Sequence, residues 1–358
     1  MGTPGLTFQL SHGFEDPQWD DFLAAKTGCL YEQSALWARV KSLQGWRPVR
    51  LTIHRGGRVV AGFQVLRRRI AGFGGIGYVS KGPVVEVDHG ELVPLVVSRL
   101  KETLRRERIH LVIVHPPGDS KTLLRQMERA GFRPDRLVRM IDATLLIDLS
   151  QDLEDILRNM KKDKRKAIRQ GLRRGIRVRA GNESDIPRFF ELMKATCERQ
   201  GVAPNPSDVR FFQALWRTFS PGGHVRLFMA EHEGACIAGA WGICFGDTFR
   251  SWKVGWNGKF GHLKPNQVLR WEMIQWAKEQ AYAWFDFFGI SASAAASPGA
   301  KLSDLDGISK HKLGYGGSVH RFPPAYAYAC NPFLRFGYRK LLPKIADTAV
   351  GSRLTAKL

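Results

Sequence analysis

Two stretches of the chain repeat one order of apolar and polar positions. Val49-Arg50-Leu51 opens a strand-like run, Gly56-Gly57 supplies a turn, and Val59-Val60-Ala61-Gly62 begins a second run. Val225-Arg226-Leu227, Glu233-Gly234 and Cys236-Ile237-Ala238-Gly239 do the same. Strand-like runs joined by a glycine-bearing turn predict a β-hairpin in each place. Each hairpin leads into further strand-like sequence, then a helix, then an apolar run of buried-strand type. In the first half these are Glu91 to Glu107 and Ile109 to Val114; in the second they are Pro265 to Gln280 and Trp284 to Phe288. The order hairpin, strand, helix, strand thus occurs twice, which predicts an α/β (α+β) chain made of two copies of one unit, with mixed sheets flanked by helices.

Between the copies, Leu153, Leu157, Met160, Ala167, Ile168 and Leu172 recur at helical spacing, and Gly175 is placed to end the run. A single basic helix over 152–174 is expected. The units are expected to span 1–147 and 148–321, with about 322–345 packing back on the first.

Charge adds to this picture. The 358 residues are 44% hydrophobic and 25% charged, ordinary for a folded soluble chain and too apolar for a disordered one. Lys and Arg number 55 against 33 Asp and Glu, a net of +22, so the expected partner is a polyanion: nucleic acid, an acidic lipid surface or a phosphorylated substrate. From Arg158 to Arg179 there are 11 Lys and Arg against Asp163, which concentrates +10 there and leaves +12 elsewhere. Lys161, Lys162, Lys164, Arg165, Lys166 and Arg169 are therefore candidates to grip phosphates of tRNA or an anionic surface. The five cysteines include no CxxC pair, so neither a disulfide framework nor a zinc knuckle is indicated and a reducing compartment fits. The longest stretch free of Asp, Glu, Lys and Arg is 14 residues, Phe287 to Ala300, too short to span a bilayer. The start, MGTPGLTFQL, lacks a basic leader. A cytoplasmic protein is expected, with possible peripheral contact at the inner membrane face and no transmembrane segment.

Several motifs bear on chemistry. Arg69-Ile-Ala-Gly72-Phe-Gly74 has the RxxGxG spelling of a pyrophosphate loop, but it runs into strand-like sequence rather than opening a helix, so the match reads as accidental. Gly289-Ile-Ser291-Ala-Ser293 hints at a nucleophile elbow without its final glycine or an Asp/His partner. His110 and His115 have poor metal spacing, and no metal site is expected. Trp252 and Trp256 are read on one face of a strand, where rings serve core packing or a platform for a base or sugar. Lys312, beside the Gly-rich turn Gly314-Tyr315-Gly316-Gly317 and following the strand that carries Asp286, can place an ammonium where it would steady an oxyanion or a phosphate.

Taken together, these features resemble the Fem (FemABX) family of non-ribosomal peptidyltransferases, which move amino acids from aminoacyl-tRNA onto the stem peptide of peptidoglycan precursors. The matching stretches run from Gln33-Ser-Ala-Leu-Trp-Ala-Arg-Val-Lys41 through Tyr78-Val-Ser-Lys81-Gly-Pro-Val84, Lys164 to Gly175, Pro265-Asn266, Trp271 to Ala277 and Phe285-Asp-Phe-Phe-Gly-Ile290 to Lys312-Leu-Gly-Tyr-Gly-Gly317. The resemblance implies two tandem GNAT-like domains and a cleft for the muropeptide. It also implies a diphosphate-binding lysine at Lys41 and a transfer lysine at Lys312. The sequence departs from the family pattern at His311, His115 and Asn205, and has no insertion between Gly201 and Phe211 for a coiled-coil arm.

The expected activity is peptide-bond-forming aminoacyl transfer without a cofactor. Lys312 would stabilise the tetrahedral charge, and Asp286 would orient the attacking amine or accept its proton. Lys41 and Lys81 would hold the acceptor diphosphate with Arg39 in reserve; Tyr78, Trp252, Trp256 and His311 are the other substrate-binding candidates. The alternatives are a coenzyme A-dependent N-acyltransferase acting on a sugar, polyamine or polysaccharide precursor, and a non-catalytic RNA- or membrane-binding protein.

Overall fold

The computed structural model describes residues 5–70, 74–87, 90–118, 120–135, 137–138, 141, 143–291 and 306–338. Its strands are β1 (Leu6–Ser11), β2 (Arg47–Arg55), β3 (Arg58–Ile70), β4 (Gly74–Ser80), β5 (Val84–Val85), β6 (Ile109–His115), β7 (Arg133–Pro134), β8 (Ala143–Asp148), β9 (Arg177–Ala180), β10 (Val225–His232), β11 (Ala235–Phe245), β12 (Thr248–Trp256), β13 (Trp284–Asp286), β14 (Ser318–Arg321) and β15 (Tyr326–Ala329). Its helices are α1 (Pro17–Ala24), α2 (Ala35–Lys41), α3 (Leu92–Arg106), α4 (Lys121–Arg129), α5 (Leu153–Asn159), α6 (Lys162–Arg173), α7 (Ile186–Arg199), α8 (Val209–Phe219), α9 (Pro265–Glu279), α10 (Gly307–Leu313) and α11 (Pro332–Phe336).

The chain divides into two compact units: one takes residues up to 25, 30–141 and 321 onward, the other 26–29 and 142–320. The first unit carries an eight-stranded sheet ordered β1-β2-β3-β4-β6-β15-β7, with β5 also on β3; the second carries seven strands ordered β14-β8-β13-β12-β11-β10-β9. Each sheet contains a hairpin (β2–β3, β10–β11), a following antiparallel strand (β4, β12) and a parallel neighbour reached through a helix: β6 after α3 and β13 after α9. Both hairpin loops, Gly56-Gly57 and Glu233-Gly234, have positive φ at their two central residues, the turn geometry whose twist suits a two-residue hairpin. The crossover helices bury Leu92, Val93, Val96, Val97, Leu100 and Leu104 in one unit and Val268, Leu269, Met273, Ile274 and Ala277 in the other, three to four residues apart, as one helix face demands.

Two boundaries differ from expectation. The units part at 141/142 rather than 147/148, because Ala143–Asp148 pairs with β13 as an inner strand of the second sheet. The basic stretch is two helices, not one. Met160 and Lys161 are extended, with ψ of 152° and 148°, and Lys161 N–H donates to Gly314 O instead of continuing α5. The α7–α8 connection contains no long arm, as expected.

The repeat extends to packing. A bulge precedes the Ala-Gly pair in each copy, after which Gly62 and Gly239 each face an aromatic ring from a preceding helix. A Cβ on Gly62 would lie 2.5 Å from Leu51 O and 2.8 Å from the Trp19 ring. On Gly239 it would meet the more yielding side chains of Phe189 at 3.1 Å and Met229 at 3.2 Å. Gly62→Ala is expected to cost stability near the top of the overpacking range of about 1–3 kcal/mol and Gly239→Ala near its bottom, read as unfolding midpoints in denaturant.

Candidate functional site

In the second unit the site grows from the carboxyl end of β13. Register puts Asp286 beside Arg250 of the parallel strand β12. Asp286 is 2% exposed and every contact it makes is structural: Oδ2 accepts from Arg250 Nε at 2.8 Å, and Oδ1 accepts from the Thr144 hydroxyl and, at 2.7 Å, from Phe288 N–H. The second and third residues after this anchor, Phe288 (φ 51°) and Gly289 (φ 65°), lie in the left-handed region. Such a conformation costs about 1–2 kcal/mol at a non-glycine residue, less than the about 3–5 kcal/mol at stake when one partner of a buried ion pair is removed. The pair can therefore hold the turn. The turn presents the carbonyls of Phe288 and Gly289, and Lys312 Nζ donates to both. α10 is set against the turn by Ser309, whose Oγ accepts from Ser291 N–H at 2.9 Å and donates to the N-cap Asp306 at 2.6 Å.

Around Lys312 the charges are mostly alike. Burial first, then Arg270, brings its ammonium down to about 7, with Asp286 and Asp306 opposing. Arg270 of α9 is buried 5.4 Å over the Phe287 ring, its Nη1 makes no hydrogen bond, and burial lowers it to about 10. Phe287 in turn packs on Tyr315 at 5.0 Å, and the Tyr315 hydroxyl is likewise buried without a hydrogen bond. Lys164 Nζ lies 3.1 Å from His311 Nδ1 and 5.6 Å over the Tyr315 ring. Burial, aided by Lys164, Arg270 and Lys312, lowers His311 to about 3, so its imidazole is neutral at pH 7 and Nδ1 accepts from the Lys164 ammonium. A buried guanidinium and hydroxyl with unmet hydrogen-bonding capacity, among lysines, suit a ligand or transition state that brings negative oxygen.

In the first unit Lys41 ends α2. Burial, then Arg68, lowers it to about 8; its ammonium donates to Gln44 and sits 5.9 Å over Trp37. Arg68 lies 4.7 Å over Trp46. Lys81 is buried at φ 54° with Nζ 3.0 Å from the Phe322 ring centroid, and His115 packs edge-on to the same ring. Burial raises the half-buried Tyr78 hydroxyl to about 12.

Several expected roles change. Asp286 accepts three hydrogen bonds inside the protein, from Arg250, Thr144 and Phe288, which makes it a strut for the turn. Arg39 is engaged by Glu15. Lys164 is buried against His311, and Arg165 donates to the carbonyls of Arg158 and Met160, leaving Lys161, Lys162, Lys166 and Arg169 exposed. Trp252 and Trp256 do not share a face. A bulge between Ser251 and Lys253 sends Trp252 toward Phe211 and Phe212, while Trp256 packs with the core cluster that includes α9. The RxxGxG spelling falls on the β3–β4 connection, with positions 71–73 outside the described residues, as are Ala292 and Ser293 of the elbow-like motif. Asn205 is exposed between α7 and α8. Arg250, Thr144, Arg270 and Arg68 escaped the sequence reading, and Tyr315 entered it only as part of the Gly-rich turn; of the first four only Arg68, in the run Arg67-Arg68-Arg69, carried a visible signal.

A model described as an acetyltransferase (GNAT) domain matches residues 158–296. The lipid II:glycine glycyltransferase of Staphylococcus epidermidis is 22% identical over 227 residues, 60% of this chain and 54% of that protein. The chain thus spans about half the length of the curated relatives it matches. The crystal structure of FemX superposes with a TM-score of 0.81 at 18% identity, over 92% of this chain and 100% of that one. A tandem GNAT protein from the clavulanic acid biosynthesis pathway gives 0.53 at 13% identity, over 91% and 99%. Fold and repeat define a tandem GNAT-fold protein. Within that class, the chain is similar to FemX and to the lipid II:glycine glycyltransferases.

Arg250→Met and Asp286→Asn are each expected to cost about 3–5 kcal/mol in denaturant unfolding. The double variant Arg250→Met/Asp286→Asn, which leaves no orphaned charge, should lose less than the sum of the two.

Proposed function

We propose that the protein moves an amino acid from aminoacyl-tRNA to the stem-peptide amine of a peptidoglycan precursor. The observation that carries this reading is the Lys312 ammonium, half-buried at the end of β13 with two of its N–H groups on main-chain carbonyls. Its third N–H is left for a developing oxyanion. The activity named for the relatives, glycyl transfer to lipid II, supports the substrate class.

The chemistry needs little more. An aminoacyl ester is already activated, so attack requires the amine within about 3.5 Å of the carbonyl and compensation of the tetrahedral oxygen. The new C–N bond forms, the ester C–O bond breaks, and the amine's proton leaves with the ribose hydroxyl. Arg270 adds to the positive field around Lys312, and the Tyr315 hydroxyl, buried without a hydrogen bond, offers a further donor. Lys41 with Arg68 would hold the acceptor's diphosphate. The exposed cations Lys161, Lys162, Lys166 and Arg169 would draw in tRNA. With His311 neutral, its ionisation plays no part between pH 5 and 8.

Incubation with charged tRNAs and muropeptide precursors should move the amino acid, and Lys312→Ala should lower kcat about 10²–10³-fold while acceptor binding persists. Lys312 is charged below about pH 7 and neutral above it, so wild-type kcat should fall as pH rises through 7. Lys312→Arg, charged throughout, should lack that limb. The match to an acetyltransferase domain favours a coenzyme A-dependent N-acyltransferase as the second reading; a thermal shift with acetyl-CoA, and no label moved from any tRNA, would decide for it.

A further inference from the structure

We infer that the arginine-rich end of the first unit's sheet is a docking surface for an anionic lipid bilayer. Register brings the charges together from separate elements. Arg47 at the start of β2 stands directly opposite Arg67 of β3. Arg69 stands opposite Gly75 of β4, which pairs with Ile109. Arg108 immediately precedes Ile109, and Arg105 and Arg106 close α3 just before it. Arg47, Arg69, Arg105, Arg106 and Arg108 are exposed. Glu107, amid them, is held by Arg67 at 3.2 Å and by His12 at 3.1 Å. Like charges directly opposite across a strand pair destabilise the sheet, and an anionic surface would relieve that repulsion. Clusters of this size are attracted to acidic headgroups by about 1 kcal/mol per charge.

The neighbouring groups favour lipid over RNA. Leu43, 59% exposed, lies on the turn before Arg47, and the half-buried Ile70 follows Arg69; aliphatic groups among arginines suit the boundary between headgroups and acyl chains. RNA readers offer open aromatic faces for stacking. Here Trp46 lies under Arg68 and Phe14 under Arg47. Lys41 lies within the electrostatic reach of Arg68 at this same end. A bilayer docked here would bring a lipid-linked diphosphate to Lys41, so the inference names the lipid-linked form of the acceptor and in that part rests on the transfer reading.

The test is co-sedimentation of the full chain with vesicles of 30% phosphatidylglycerol in phosphatidylcholine, against pure phosphatidylcholine, at about 0.15 M and 0.5 M salt. Binding should require the acidic lipid and fade with salt. The triple variant Arg69→Glu/Arg105→Glu/Arg106→Glu should bind the acidic vesicles about a hundredfold more weakly or worse, and the Gln triple should fall between, each with a wild-type melting profile. Undiminished vesicle binding by the triple, or its loss instead in Lys162→Glu/Arg169→Glu, would overturn the assignment. So would RNA binding through these arginines without vesicle binding. Vesicle binding by a protein that transfers nothing would sink the transfer reading and leave this surface standing. Transfer to a soluble acceptor without vesicle binding would do the reverse.

Discussion

The buried pair between Arg250 and Asp286 is the contact on which the candidate site depends. It ties the parallel strands β12 and β13 where β13 ends, and the same carboxylate holds Thr144 of β8 and the main chain of Phe288. A carboxylate with all its contacts inside the protein costs desolvation and is worth keeping for the geometry it fixes. Here that geometry is a left-handed turn whose two carbonyls seat an ammonium. The chain thus supports one strained element with one expensive interaction, and α10 is added on top through Ser309 and Asp306.

The two copies of the fold have spent the same scaffold differently. Both keep the hairpin, the bulge before Ala-Gly, the aromatic ring seated on that glycine and the parallel strand after a crossover helix. These are backbone and packing constraints, which tolerate wide change in outward side chains. The strand after the crossover helix shows the divergence: β6 ends in the buried His115, edge-on to Phe322, and β13 in Asp286, buried against Arg250. In the second unit the copy has gathered inward-facing cations, while the first presents arginines outward at the end of its sheet.

The excess of positive charge works in two physical regimes. Exposed arginines and lysines stay charged and act through a field that salt screens. Buried and half-buried ones pay desolvation, which depresses Lys312, Lys41 and Arg270 in turn. A lysine brought near neutrality can change its proton within the working pH range; a guanidinium at about 10 keeps its charge there. The Lys312 and Arg270 positions therefore differ in kind although both are cations beside one turn.

Much of the fold was legible because hairpins, crossover helices and buried strands are written in local periodicity, and the repeat could be seen in Val49 to Gly62 and Val225 to Gly239. The basic helix was misjudged at Met160, where apolar spacing continues through a break set by a distant carbonyl, that of Gly314. Trp252 and Trp256 were assigned one face because a bulge adds a residue without changing the local pattern. Lys312 stands out in the sequence beside its Gly-rich turn, but its seat on the Phe288 and Gly289 carbonyls comes only from the fold. Asp286 was visible as a residue but not as a strut, since its partners Thr144 and Arg250 lie 142 and 36 positions away. What the sequence by itself determined is the architecture and the overall charge. What the tertiary structure alone decided is which cations are buried, which carboxylate is occupied and which arginines stand together. Those depend on strand register and burial, which no local pattern encodes.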